Sequence, residues 1–461
     1  MLITELYKLY HQHPVITTDS RICPVGSIFF ALKGESFDGN SFAGKALQSG
    51  CAYAVIDDAS FYTDNRFILV DDVLTTLQQL ACMHRDALGI PVIGITGTNG
   101  KTTTKELTAA VLSKKYNTLY TEGNLNNHIG VPLTLLRLTR EHEIAVIEMG
   151  ANHPGEIRDL ANISRPDFGL ITNVGYAHLE GFGSFEGVVR TKGELYDFVR
   201  NAGGKVFINT GNEYLNEIAG GLELIRYGMA TDSKTPGKEL FVSGKVLNCN
   251  PFLSFAWQQQ GKGSQHSVET HLVGDYNLWN VLAAITIGAY FDVSPEQINS
   301  AIANYVPSNN RSQLMETADN TLIIDAYNAN PSSMRAALEN FASPTVTTVE
   351  RPSDSHSGDS HTKPSTSTFK PLSKVAILGD MLELGEKSPE LHADIVGLAE
   401  TLEIDTILLC GEQFSTVGKN HTCFRSVEEL GKFLDENPLH GCHILIKGSH
   451  GVHLEKIIDK L

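Results

Sequence analysis

The chain has 461 residues, about three domains at roughly 150 residues each, which excludes a peptide or a lone small module. Hydrophobic residues make up 41% and charged residues 19%, a mix unlike disordered or fibrous chains. Lys plus Arg total 36 against 53 Asp plus Glu, a net charge of −17 that argues against a generic grip on nucleic acid or anionic lipid, so any anionic ligand needs a local cationic pocket.

The N-terminal run MLITELYKLYHQHP carries Glu5, Lys8 and histidines where a signal peptide needs an unbroken apolar core, and no stretch approaches the ~18 apolar residues of a membrane span. Cys23, Cys51, Cys82, Cys249, Cys410, Cys423 and Cys442 are scattered without a C-x-x-C pair, which argues against a disulfide framework or a zinc site. The expectation is a reducing, cytoplasmic monomer with no membrane insertion and no nucleic-acid partner.

Residues 1–85 hold short strand-like runs, Ser27 to Leu32, Tyr53 to Ile56 and Phe67 to Val70, separated by turn-rich pieces, and read as a small α/β module. Residues 86–307 change pattern: VIGIT precedes TTTKELTAAVLSKKY, IAVIEMG precedes GEIRDLANI, and FGLITNVG follows. Apolar runs alternating with helical periods predict parallel strands in βαβ units. Within this block, residues 241–273 alternate like antiparallel strands and 277–290 read as a helix. Residues 308–461 form a third block in which LIIDAYN, KVAILGD, TILLCG and HILIKG alternate with helices at 332–342, 389–402 and 426–436, a second, Rossmann-like parallel sheet. Residues 351–371, RPSDSHSGDSHTKPSTSTFKP, have only Phe369 to bury and are expected to be a disordered insertion, in which His356 and His361 are solvated.

The run Gly94-Ile95-Thr96-Gly97-Thr98-Asn99-Gly100-Lys101-Thr102-Thr103-Thr104 lies between an apolar strand and an amphipathic helix. Backbone N–H groups and a helix N-terminus cradle phosphates in that setting. Lys101 is placed to reach the terminal phosphates and Thr102 to coordinate Mg²⁺. The residue five before Gly100 is Ile95, so the match is to a shorter variant, G-T-N-G-K-T. No G-x-G-x-x-G follows a strand with an acid about 20 residues on, which argues against a dinucleotide-dependent dehydrogenase.

That variant resembles the nucleotide loop of the Mur ligase superfamily, which also contains folylpolyglutamate synthetases. Further segments match its D-alanyl-D-alanine-adding branch in order: Asp19-Ser20-Arg21, Phe29 to Asn40, Gly123 to Pro132, Glu148 to Glu156, Thr172 to Ser184, Asp325 to Pro331 and Leu378 to Gly385. The D-N-P-R of the diamino-acid-adding sister is absent, whereas L-G-D-M-x-E-L-G is present. The resemblance implies three α/β domains and an ADP-forming ligase that adds D-alanyl-D-alanine to a UDP-N-acetylmuramoyl tripeptide in cytoplasmic peptidoglycan precursor synthesis. A sister ligase adding one amino acid and a regulatory ATPase that makes no bond are the alternatives.

Making an amide from a carboxylate in water requires activation, which ATP supplies by phosphorylation, so the site should offer cations and Mg²⁺ ligands rather than nucleophiles. Glu148 ends the IAVIE run, where a metal-binding acid projects from the carboxyl edge of a parallel sheet. The resemblance adds His178 as a metal-site residue and Lys192 as the family's carbamylated lysine; from its own residues Lys192 reads as a solvated charge on a helix face. The resemblance further assigns Gly97, Thr98, Asn99, Gly100, Lys101, Thr102 and Thr103 to the ATP phosphates, Asn277 and Asn280 to the adenine side, Arg311 to phosphates and Asp325 to ribose. Relatives commonly carry His where this chain has Tyr276, and Arg where it has His450. Ser20, Arg21, Gly39 and Asn40 fall near uridine diphosphate, Asn124, Asn126 and Asn127 near the sugar and peptide, and Asn328 and Asn330 near the incoming dipeptide.

Overall fold

The computed structural model describes residues 2–231, 239–249, 251–307, 311–343, 373–418 and 420–461; the expected insertion at 351–371 lies outside them. Three sheets carry the architecture. The first has four strands in the order β1-β2-β3-β4, namely Ile16–Thr17, Ile28–Phe30, Tyr53–Ile56 and Phe67–Leu69, all paired in parallel. Every residue of β2 is buried, as expected of a strand covered on both faces. The helix Val73–Leu88 leads into the next sheet: Asp72 caps its first turn by accepting from Thr75 N, and Gly89, at φ 64°, ends it. The helices Ile3–Gln12 and Val73–Leu88 add to the strands that the sequence predicts for this region.

The second sheet has nine strands in the order β13-β12-β11-β10-β9-β8-β5-β7-β6. In chain order they are β5 Val92–Thr96, β6 Thr118–Tyr120, β7 Ile144–Glu148, β8 Phe168–Ile171, β9 Lys205–Asn209, β10 Glu223–Met229, β11 Val242–Cys249, β12 Phe252–Gln259 and β13 Gln265–Val273. The chain runs from β5 out to β6, back to β7 beside β5, then across β5 to β8, with β5 parallel to both neighbours. Connections therefore leave the carboxyl ends of β5, β7 and β8 in opposite directions, which opens a crevice at that edge. The links β11 to β12 and β12 to β13 are too short for a crossover, so these strands reverse direction, as the alternation over 241–273 predicts.

The chain divides into two compact units, Met1–Lys245 with Ala256–Val268 and Leu278–Tyr305, and Val246–Phe255 with Glu269–Asn277 and Val306–Leu461. The second unit holds the third sheet, order β14-β15-β19-β16-β17-β18: Gln313–Glu316, Thr321–Asp325, Cys442–Lys447, Ser373–Gly379, Thr406–Cys410 and Thr422–Phe424. Only β14 is antiparallel to its neighbour. Alternate residues feed two cores: Ile323, Ala376, Leu378, Leu409 and Leu445 enter one, and Leu322, Ile324, Val375, Ile377, Leu408, Ile444 and Ile446 the other. The period of two with both faces buried is why these strands read as continuous apolar runs.

Candidate active site

The loop after β5 owes its path to two glycines in the left-handed region, Gly97 at φ 144° and Gly100 at φ 75°. A Cβ at Gly97 would strike Thr172 Oγ1, and one at Gly100 would strike the Asn280 amide, so the loop closes only over hydrogen. The segment after β8 braces it. Thr98 N donates to Asn173 O at 2.9 Å, Asn99 N to Asn173 Oδ1 at 3.0 Å, and Thr172 Oγ1 to Asn99 O at 2.6 Å. Gly100 then caps the helix Lys101–Leu112 without a side-chain hydrogen bond of its own, and helix N-termini of this kind attract anions. Lys101 folds back, donating from Nζ to Gly97 O at 2.8 Å and Thr98 O at 3.0 Å.

Glu148 ends β7 in register with Ile95 of β5, so its carboxylate emerges beside the loop, 1% exposed. Oε1 accepts from Thr102 Oγ1 at 3.2 Å and Asn126 Nδ2 at 2.8 Å, while Glu148 N donates to Thr121 Oγ1 at 2.9 Å. Oε2 is buried without a hydrogen-bond partner, and Lys105 Nζ stands 4.0 Å from it. A buried carboxylate oxygen without a donor, beside a hydroxyl and a phosphate-type loop, fits a hard divalent cation. Among the described residues no three His, Cys, Asp or Glu side chains converge on a metal position. That donor set suits Mg²⁺, which takes one or two carboxylates and completes its shell with phosphate and water oxygens.

His178, in the segment after β8, has φ 50° and precedes the short helix Leu179–Phe182, its ring edge-on to Phe182 at 6.2 Å. Phe182 also lies under Lys192, whose Nζ is 5.1 Å from the ring centroid. Contrary to the solvated helix-face reading, Lys192 is 2% exposed within the helix Phe185–Ala202 and donates to Ala151 O at 3.2 Å. Burial first, and the charge of Lys101 second, hold its amine well below the ordinary lysine pKa. Glu156 and Glu194 pull the other way and are outweighed. Glu194 is itself spent on Gly155 N and Arg158 N, each at 2.9 Å.

The remaining candidates divide by what their polar atoms do. Asn280 Oδ1 accepts from Thr104 Oγ1 at 3.1 Å, and Asn277 Nδ2 donates to Val273 O at 2.8 Å. Asn124 offers its carbonyl to Asn126 N, and Asn127 Oδ1 takes Ile129 N at 3.1 Å and Gly130 N at 2.9 Å, a cap. In the first sheet Arg21 forks onto Asp19 on the surface, next to Ser20. Asn40, fully buried beside Gly39, donates to Asp38 and Asp57 at 2.8 Å each, so it is committed to its turn.

In the second unit, Asp325 and Lys447 are register partners at the carboxyl ends of β15 and β19 and form an ion pair at 2.5 Å. Asp325 Oδ1 also accepts from Ser312 N at 3.3 Å, whose Oγ meets Tyr276 OH at 3.0 Å. Asp325 is therefore neither free nor a helix cap. Among the described residues Arg311 forms no ion pair; its guanidinium lies 3.8 Å above the Tyr327 ring, with Nε buried and unpaired. Tyr327 stacks in turn on His450 at 5.6 Å. Asn330 caps the helix Pro331–Ala342 through Ser333 N at 2.9 Å, and Asn328 O faces Lys447 Nζ at 3.4 Å. Buried His392 accepts at Nε2 from Met381 N, 3.0 Å away, and so fixes the D-M-L-E-L-G turn; it was not foreseen from the sequence. Lys105 was not foreseen either, although its place four residues after Lys101 and four before Ala109, in the stripe that continues to Leu112, puts a charge on a buried face.

Two family models match the chain, the Mur ligase middle domain over residues 95–288 and the "Mur ligase family, catalytic domain" over residues 14–85. The chain is 34% identical to UDP-N-acetylmuramoyl-tripeptide--D-alanyl-D-alanine ligase of Bacillus subtilis (strain 168), covering 97% of this chain and 92% of that protein. It is 33% identical to the protein of that name from Escherichia coli (strain K12), covering 97% and 93%. A crystal structure of MurF from Acinetobacter baumannii matches with a TM-score of 0.81 at 30% identity, covering 97% of this chain and 92% of that one.

Proposed function

The chain belongs to the Mur ligase family, and from that premise we infer an ATP-dependent, ADP-forming ligase that joins D-alanyl-D-alanine to a UDP-N-acetylmuramoyl tripeptide in peptidoglycan precursor synthesis. A carboxylate oxygen of the tripeptide attacks the γ-phosphorus of ATP and ADP leaves. The dipeptide amine then attacks the acyl carbon, and phosphate departs as the nitrogen loses its proton. The observation that carries this reading is the edge of one sheet, where the glycine loop and a buried, half-unpaired Glu148 meet in a chain aligned almost end to end with ligases of that name.

In this reading Gly97, Thr98, Asn99 and Gly100 shape the phosphate cradle and the helix that starts at Lys101 points its first-turn N–H groups into it. Lys101 moves from its two carbonyls to the transferring phosphoryl group, where a cation lowers the barrier most. Thr102, Glu148 and His178 would hold Mg²⁺, whose charge would offset that of the crowded phosphate oxygens. Asn126 orients Glu148 through its 2.8 Å hydrogen bond, a role beyond the substrate contact its motif suggests. Burial holds the Lys192 amine well below the ordinary lysine pKa, which favours the neutral form that would add carbon dioxide, and the carbamate would supply oxygens toward the metal. Asn277 and Asn280 lie on the adenine side, Arg311 serves the phosphates and Asp325 the ribose. Residues 1–85, with Ser20, Arg21, Gly39 and Asn40, hold the UDP end, residues 86–307 the ATP, and residues 308–461, with Asn328 and Asn330, the dipeptide; Asn124 and Asn127 line the peptide.

ADP release measured with the UDP-tripeptide, with and without D-alanyl-D-alanine, tests this. Release that depends on the dipeptide and yields the pentapeptide by mass is expected. Release indifferent to any amine describes a regulatory ATPase, and release with a single amino acid describes a sister ligase.

A further inference from the structure

We propose that Lys105 is the resident counter-ion of Glu148 and makes binding of a divalent cation at that carboxylate conditional on the nucleotide. The inference rests on the reading that Glu148 holds such a cation. Lys105 is fully buried. It stands one helical turn beyond Lys101, on the side of the helix that meets β6 and β7. Its Nζ donates to Thr121 O at 2.7 Å and lies 3.5 Å from Glu106 Oε1 and 4.0 Å from Glu148 Oε2. Thr121 also accepts, at Oγ1, the hydrogen bond from Glu148 N. One residue thus holds both the ammonium and the backbone that bears the carboxylate, whose Oε1 is fixed in turn by Thr102 and Asn126. Glu106 is held from its far side by Tyr305 OH at 2.6 Å.

At 4.0 Å the ammonium neutralises Oε2 without donating a hydrogen bond to it, so the lone pairs stay available. A divalent ion arriving alone would face the Lys105 ammonium across the same oxygen of a buried carboxylate. Arriving with a polyphosphate, it brings its own compensating oxygens. Lys105 therefore admits the metal and the nucleotide together and discourages the bare ion.

The test is a Mn²⁺ titration of the full chain, followed by the paramagnetic resonance of free Mn²⁺, without nucleotide and with the β,γ-imido analogue of ATP. Wild-type protein should bind Mn²⁺ at least about tenfold more weakly without the analogue, and Lys105→Met or Lys105→Gln should recover about that factor. Gln keeps a donor for Thr121 O. Lys105→Arg should behave as wild type. Folded neutral variants whose nucleotide-free affinity is unchanged would overturn the proposal, and so would loss of the fold in both, since the charge would then be structural. Glu148→Gln separates the two readings. If it binds Mn²⁺ with the analogue as well as wild type does, the metal assignment itself falls. If it loses that binding while the Lys105 variants stay unchanged, only the role of Lys105 falls.

Discussion

Lys105 and Lys192 are equally hidden from solvent, 0% and 2% exposed, on two helices that pack against strands of one sheet, yet their surroundings are opposite. Lys105 faces a carbonyl and two carboxylate oxygens within 4.0 Å. Lys192 faces the Ala151 carbonyl and the Phe182 ring, while the charge of Lys101 adds to the penalty of burial. Burial alone does not say what a lysine is for. Beside the charge of Lys101, burial holds the amine of Lys192 well below the ordinary lysine pKa.

The comparison breaks most visibly at Lys192. Lys192→Ala should cut turnover by roughly 10²–10³, the size of effect seen when a preorganised electrostatic partner is lost, and a short carboxylic acid should restore part of the rate. ADP release within a few-fold of wild type would show that the amine takes no part. A smaller effect should appear in stability. Because the native amine is neutral well below 10.5 while the unfolded one is protonated, the unfolded state binds the extra proton between those values, and native stability rises with pH across that window. Urea unfolding in CO₂-free buffer should show this as up to about 1.4 kcal/mol per pH unit, and Lys192→Met should lose that part of the slope. An identical slope in both proteins would mean that the native amine carries its proton. The smallest effect belongs to Glu106, at the long side of the Lys105 cluster. Glu106→Gln, which still accepts from Tyr305, should shift the unfolding free energy by no more than about 1 kcal/mol. A larger loss would make Glu106, rather than Glu148, the true partner of Lys105.

What the sequence disclosed follows from which groups had to be contiguous. The phosphate loop is legible because a strand, a tight turn and a helix start must follow one another, and Glu148 is legible because a strand end fixes its place. The apolar runs of the third sheet are legible because both faces are buried, whereas the three-residue β18 is too short to show a pattern. Lys192 is not legible from its neighbours, since the parts that cover it, Ala151 and Phe182, come from other segments. Asn40, Asn127 and Asn330 belong to polar motifs that suggest ligand contacts, and their amides are occupied in turns and caps. A motif shows that a polar residue is needed but not whether a ligand or the backbone needs it.

Lys101 is already engaged, its Nζ held by the carbonyls of Gly97 and Thr98. A phosphate group obtains it only by exchange, and exchange rewards leverage. A small free anion must outcompete two carbonyls at its bulk concentration. A nucleotide held by its base and sugar presents its phosphate at a far higher effective concentration and wins the same contest. The loop thus weighs how a phosphate is attached as well as its charge, and common anions of the cell meet a lysine that is not on offer.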